Sequence, residues 1–246
     1  MSRTLLISVF GLGLVLCFAV AAAPARLAFD AAAGPAGARA GLVQGTVWDA
    51  TILRLTTGGP SIAQTTARLQ PSGLLSGAAR FDVALRDPTL RGEGVVALTP
   101  GGLAVENASG VASLSRLALP VAMPAGESVR VEIERLAVDR AGRCREAEGR
   151  ITTSALVAAG EPFGAVLPVL DGVLLCAGDA VGLQINGTSD ALALSGRIRF
   201  EPSGPAWRIE AQTTDRDVVA ALSVMGFQQQ GAGVFELDSR RLQEEG

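Results

Sequence analysis

Residues 129–134 read Val129-Arg130-Val131-Glu132-Ile133-Glu134, with an apolar residue at each odd position and a charged one at each even position. Side chains of an extended chain point alternately to opposite faces, so this period of two specifies a strand with one buried and one wetted side. The pattern recurs outward in both directions. Phe81, Val83 and Leu85 alternate with Asp82, Ala84 and Arg86, while Leu192, Leu194, Ile198 and Phe200 share a side opposite Ser195, Arg197 and Arg199. Further strands are predicted over 45–55, 62–69, 94–98, 103–107, 149–154, 181–185, 207–213 and 233–237. Gly58-Gly59-Pro60, Gly101-Gly102, Asn186-Gly187 and Ser203-Gly204-Pro205 supply the reversals between them. No helical segments of the usual crossover length separate successive strands, which predicts an all-β, mostly antiparallel sheet and argues against a doubly wound one.

One short C-terminal helix is predicted. Thr214 can cap it, Asp217 follows three positions on, Val218, Val219, Leu222 and Met225 form an apolar stripe, and Gly226 can end it with Phe227 packing back. A weaker helical turn is predicted around 164–170.

At the other end of the chain, residues 5–23 form an apolar run without a charge. About 19 helical residues at about 1.5 Å each reach about 28 Å, close to the thickness of a bilayer's hydrocarbon core. A cleavable export signal is the competing reading, since Ala21-Ala22-Ala23 has the small residues of a cleavage site. The run is longer than an ordinary signal core, and Pro24 directly after it fits a protease cleft poorly. The expectation is therefore an uncleaved anchor. With Arg3 and the amino group ahead of the span, residues 1–4 are placed in the cytoplasm, 5–23 in the membrane, 24–41 in a linker rich in Ala, Gly and Pro, and 42–246 on the far side. In a bacterium that side is the periplasm. Cys17 lies within the run and reads as a small apolar residue. Cys144 and Cys176 remain, and an even pair in an oxidising compartment is expected to form a disulfide, worth about 3 to 4 kcal/mol on the chain-entropy model.

Composition narrows the chemistry. The 246 residues are 48% hydrophobic and 18% charged, which excludes a disordered chain, and there is no His, no Tyr and no Lys. An imidazole base, a Schiff-base lysine and any histidine metal site are thereby excluded. The basic residues are all Arg and are spread along a chain of net charge -3, so no nucleic-acid stripe exists. Glu132 with Glu134 and Asp215 with Asp217 are paired carboxylates, but such pairs are ordinary on wetted faces. The aromatic content of 4% lacks the platforms of a sugar hydrolase. No catalytic, cofactor-binding or metal-binding residue is assigned, and no enzyme activity is expected. Trp48 reads as core or as a protein-binding anchor, and Trp207 reads as core. The charged stretch 139–150 reads as a solvated hairpin held through Cys144, or as a docking surface.

Gln44-Gly45-Thr46-Val47-Trp48, placed after an N-terminal anchor and an Ala/Pro-rich segment, resembles the corresponding stretch of protein N of the bacterial type II secretion system. Arg68-Leu69-Gln70-Pro71-Ser72-Gly73-Leu74-Leu75-Ser76-Gly77 resembles the family's second landmark, and Cys144 with Cys176 falls where members carry a periplasmic pair. The residues that carry the motif are Gly45, Thr46, Trp48, Pro71, Leu74, Leu75 and Gly77. The resemblance implies a curved sheet and a non-enzymatic accessory component in the cell inner membrane, supporting export of folded periplasmic proteins through the outer membrane. Its implied partners are the inner-membrane platform of the secretion system, with the outer-membrane secretin as a further candidate. The layout is also similar to the AsmA-like group of anchored, curved sheets, so the alternative is a periplasmic lipid-binding or lipid-transfer module with a lipid ligand.

Overall fold

In the computed structural model, which describes residues 22–32, 37–56, 60–75, 77–116, 126–201 and 204–239, the alternating stretch lies in a strand from Ser128 to Asp139. Val129 is buried, Val131 and Ile133 are half-buried, and the charged residues between them are exposed. The chain divides into two units, Met1–Pro88 and Thr89–Gly246.

The first unit contains helix α1 (Ala25–Ala32), strands β1 (Arg39–Thr46), β2 (Asp49–Thr56) and β3 (Ile62–Gln70), the five-residue helix α2 (Pro71–Leu75), and β4 (Ala79–Asp87). The four strands pair antiparallel in chain order. Val43, Ile52, Thr65 and Leu85 form one cross-strand row, and Gly45, Ala50, Ala67 and Val83 the next, so one face of this sheet is apolar. Thr65 interrupts that face: its side chain is buried and its hydroxyl has no hydrogen-bond partner among the described residues. The single strand expected over 45–55 is in fact two, broken at Val47 and Trp48. Val47 and Trp48 form a tight turn between Thr46 and its partner Asp49.

The second unit contains β5 (Leu90–Thr99), β6 (Gly102–Ser113), β7 (Ser128–Asp139), β8 (Cys144–Thr153), α3 (Ala155–Gly160), β9 (Leu170–Ala177), β10 (Ala180–Thr188), β11 (Ala193–Glu201), β12 (Gly204–Gln212), α4 (Arg216–Val224), β13 (Gln228–Gly231) and β14 (Val234–Asp238). Strands β5 to β12 pair antiparallel in chain order. β14 then pairs with β12, and β13 lies outside it as the last strand of an open sheet. The core lies between the apolar side of β9 to β14 and α4. Leu183, Ile185, Leu194, Ala211 and Phe235 from the sheet meet Val218, Ala221, Leu222 and Met225, and the segment after β8 adds Leu156, Ala165 and Leu167. Fully burying a side chain such as Leu222 is worth about 1.5–3 kcal/mol, which explains why the apolar stripe of α4 was readable.

Several local expectations are corrected. Asn186-Gly187 is not a turn; both residues lie inside β10, opposite Ser195 and Leu194, and the reversal is made by Ser189 and Leu192. Gly187 is needed there for closeness, since a Cβ would stand 2.7 Å from Leu170 Cδ2 and 3.0 Å from the Val169 carbonyl oxygen. The cap of α4 is Asp215 and not Thr214. The Asp215 carboxylate accepts from the backbone N–H groups of Asp217 and Val218 at 2.9 and 3.1 Å, while its own N–H donates to Thr213 Oγ1. The helical turn expected over 164–170 comes earlier, in α3 and the 3₁₀ turn Glu161–Phe163, ended by Gly164 at a φ of +68°. Trp48 and Trp207 are half-buried and stand outside the buried core.

The apolar run 5–23 lies almost wholly outside the described residues, as do Gly58, Gly59 and Ser203 of the expected turns. Among the described residues no helix is long and apolar enough to cross a membrane. Helix α1 and the first residues of β1 fall within the stretch read as a linker.

Candidate functional site

The two short stretches singled out in the sequence, 45–48 and 71–77, meet at one end of the first sheet. In an antiparallel meander the connections alternate between ends, so the β1–β2 turn and the β3–β4 connection must share one. Gly45 precedes the turn at a φ of +91°, and a Cβ there would overlap the Asp49 carbonyl oxygen. A residue with a side chain could not let the two strands approach so closely. The Trp48 carbonyl accepts from Leu69 N–H at 3.0 Å, tying the turn to the end of β3.

Pro71 follows as the first residue of α2, where its missing N–H costs nothing. Gly73 is buried against Ala78 and Arg80. Gly77 closes the helix at a φ of +74°: its N–H donates to the Leu74 carbonyl at 3.2 Å, and Ala78 N–H donates to that of Gly73 at 3.1 Å. This short helix turns Leu74 and Leu75 outward, at 48% and 94% exposure. The incoming chain closes on the same end. Val47 N–H donates to the Ala23 carbonyl at 3.0 Å, and Pro24 bridges to Thr46. Sequence reasoning missed that contact and the exposed Leu27 of α1, because nothing in residues 22–27 indicates which strand they will meet.

Cys144 and Cys176 belong to the second unit, where they form a disulfide with their Cα atoms 5.6 Å apart. The ladder between β8 and β9 runs from the Thr153–Leu170 pair to the Gly149–Leu174 pair. The disulfide lies beyond its end, beside a hydrogen bond from Cys144 N–H to the Asp179 carbonyl at 2.7 Å. The charged stretch 139–150 is a hairpin organised by Asp139. Its Oδ1 accepts from the backbone N–H groups of Arg143 and Ala141, and its Oδ2 from the guanidinium groups of Arg143 and Arg145 at 2.8 Å. The Arg143 backbone N–H, joined by these other donors and opposed by desolvation, holds the Asp139 carboxyl well below the usual carboxylate range.

The paired carboxylates have separate local roles. Glu132 stands opposite Arg150, Glu134 occupies a bulge between Ile133 and Arg135, Asp215 is a cap, and Asp217 lies in the first turn of α4. Glu134 lines a cleft of about 380 Å³ with Glu148, Arg150 and Asp171. The sequence singled out Glu134, and Glu148 only as part of the charged stretch 139–150, and missed Asp171; the strand register brings the three together. Among the described residues, no three Asp, Glu, Cys or His side chains are grouped to hold a metal ion.

A family model, that of type II secretion system (T2SS) protein N, matches residues 36–238 of this chain. The match begins just before β1, ends with β14, and includes both motif stretches and both cysteines. Neither the curated proteins nor the solved structures contain a match to it.

Proposed function

Since the chain belongs to the family of type II secretion system protein N, we propose that it is a non-enzymatic accessory component on the inner-membrane side of the secretion machine, supporting passage of folded periplasmic proteins through the outer membrane. The family match over residues 36–238, which takes in every strand from β1 to β14, is the observation that carries this reading. The disulfide supports the topology read from the sequence, because such bonds persist in oxidising compartments. Residues 1–4 lie in the cytoplasm, 5–23 cross the inner membrane, and the strands stand in the periplasm. Inner-membrane platform components are the partners, with the secretin as a more distant candidate. The test is to delete the protein and blot the platform components. Their loss, restored by the wild-type chain and by Glu132→Gln or Asp217→Asn variants alike, is the expected result. A requirement for any one of those carboxylates would contradict a non-enzymatic role.

A specific observation favours a second reading, the lipid-binding module. Val96, Leu98, Leu103, Val105, Leu136 and Val138 share one face of β5 to β7 by register and lie outside the buried core; Leu103 is exposed and the others half-buried. An apolar face of that kind can hold an acyl chain. Mass spectrometry of extracts from the purified full-length protein distinguishes the two. Lipid in stoichiometric amount, above what a detergent-matched membrane protein retains, supports the lipid module.

A further inference from the structure

The end of the first sheet that carries Trp48, Leu74 and Leu75 is also the end at which the apolar run finishes. The carbonyl of Ala23, the last residue of that run, accepts from Val47 N–H in the β1–β2 turn, and Pro24 bridges to Thr46. The turn is therefore one hydrogen bond away from the point where the chain leaves the span. Exposed leucines are commonplace on protein surfaces, but here they are not scattered. Of the four large apolar residues described as exposed in the first unit, Leu27, Leu74 and Leu75 stand at this end, and only Leu42 does not. Leu75, at 94% exposure, has almost no contact with its own protein.

The polar groups at this end are consistent with an apolar neighbour. Asp49 is paired with Arg68 at 3.3 Å, and Asp82 accepts from Gln70 Nε2 at 2.6 Å, so neither carboxylate stands bare beside the leucines. Trp48 is half-buried in the turn, and an indole with one apolar side and one hydrogen-bonding edge is the side chain most suited to the headgroup level of a bilayer.

We infer that this end of the first sheet lies on the outer surface of the inner membrane, with Leu74 and Leu75 inserted among the lipid headgroups beside the anchor. The occupant of the apolar patch is the phospholipid bilayer itself, and the inference rests on the reading of 5–23 as a membrane span. Seated in this way, the first unit is held at the bilayer by two attachments, the span and the leucine tip, which fixes its orientation where a single flexible tether would not.

The full chain, with Cys17→Ser so that only an introduced thiol reacts, is reconstituted in vesicles of phosphatidylethanolamine and phosphatidylglycerol. A nitroxide is attached at Leu75→Cys, at Leu74→Cys as a second reporter, and at the exposed Ala63→Cys near the start of β3, at the opposite end of the sheet. The expected result is a ratio of oxygen to nickel-chelate accessibility several-fold higher at positions 74 and 75 than at 63. Equal, water-like ratios at all three overturn the inference, and so does protection from both reagents at 75, which a protein partner would give. Alkali extraction of the same vesicles separates the two levels of failure. Protein that stays in the pellet with a water-exposed position 75 leaves the anchor standing and removes the bilayer contact, whereas protein released by alkali removes the anchor and the contact together.

Discussion

Two residues of the first unit illustrate how differently single positions respond to substitution. Gly45 combines a left-handed φ with a strand approach that leaves no room for a side chain, whereas Gly77 has a similar φ but open space around it. Gly77→Ala is expected to cost about 1–2 kcal/mol from backbone strain alone, and Gly45→Ala more than that, as read from paired thermal melts. Equal costs would mean that the clash at Gly45 relaxes freely. Thr65→Val is expected to act in the opposite direction, raising stability by about 1 kcal/mol, because it replaces a buried, unpartnered hydroxyl with a methyl of similar shape. Asp139 carries a pH signature. Its folded-state pKa is depressed, so the stability it contributes is complete above the unfolded carboxylate pKa of about 3.9, and it fades only as pH falls through the lower folded value. Carboxyl NMR should show Asp139 still ionised at pH 3.5; a midpoint near 4 would contradict its hydrogen-bond set. None of these positions was legible as such. Gly45 stood out in the sequence as part of a motif, but its φ follows from the hairpin register, which alternation alone does not fix.

Among the elements, α4 and the β8–β9 junction make the sharpest contrast. The helix was readable because Val218, Leu222 and Met225 repeat at helical spacing and Gly226 can end it. The cap was missed by one position because Thr214 and Asp215 are both good caps, and only the Thr213 hydroxyl, bonded to the Ala191 carbonyl at 2.6 Å, decides between them. Leu222→Ala, at a fully buried site, is expected to cost about 2–5 kcal/mol in a denaturant titration. At the β8–β9 junction the pairing of the cysteines was foreseen, but its position was not. The ladder stops at Gly149, and the disulfide fastens the strands beyond that point. Reduction should therefore lower stability by about 3 to 4 kcal/mol and accelerate hydrogen exchange at 145–148 more than at 150–153. Uniform acceleration along β8 would show that the disulfide holds the whole strand and not only the part beyond its ladder with β9. Asn186-Gly187 failed as a turn signal because a glycine also serves where a strand must pass close to its neighbours, and sequence spacing cannot separate the two uses.

On the scale of the whole molecule, alternation in stretches such as 129–134 was enough to indicate an antiparallel all-β chain, because one-sided burial leaves its mark on every second residue. The grouping of 45–48 with 71–77 was not legible, since it depends on which end of a meander each connection occupies. Membership of the protein N family was carried by those same short stretches together with the cysteine pair, and it is the basis for a role in secretion. The most direct measurement of that role is the distribution of a folded substrate of the type II system between periplasm and medium, in a strain lacking this protein and in the same strain carrying it back. Substrate is expected to be retained in the periplasm without the protein and released when it is restored, in parallel with the abundance of the platform components. Unchanged release, accompanied by an altered lipid composition of the outer membrane, would contradict that role.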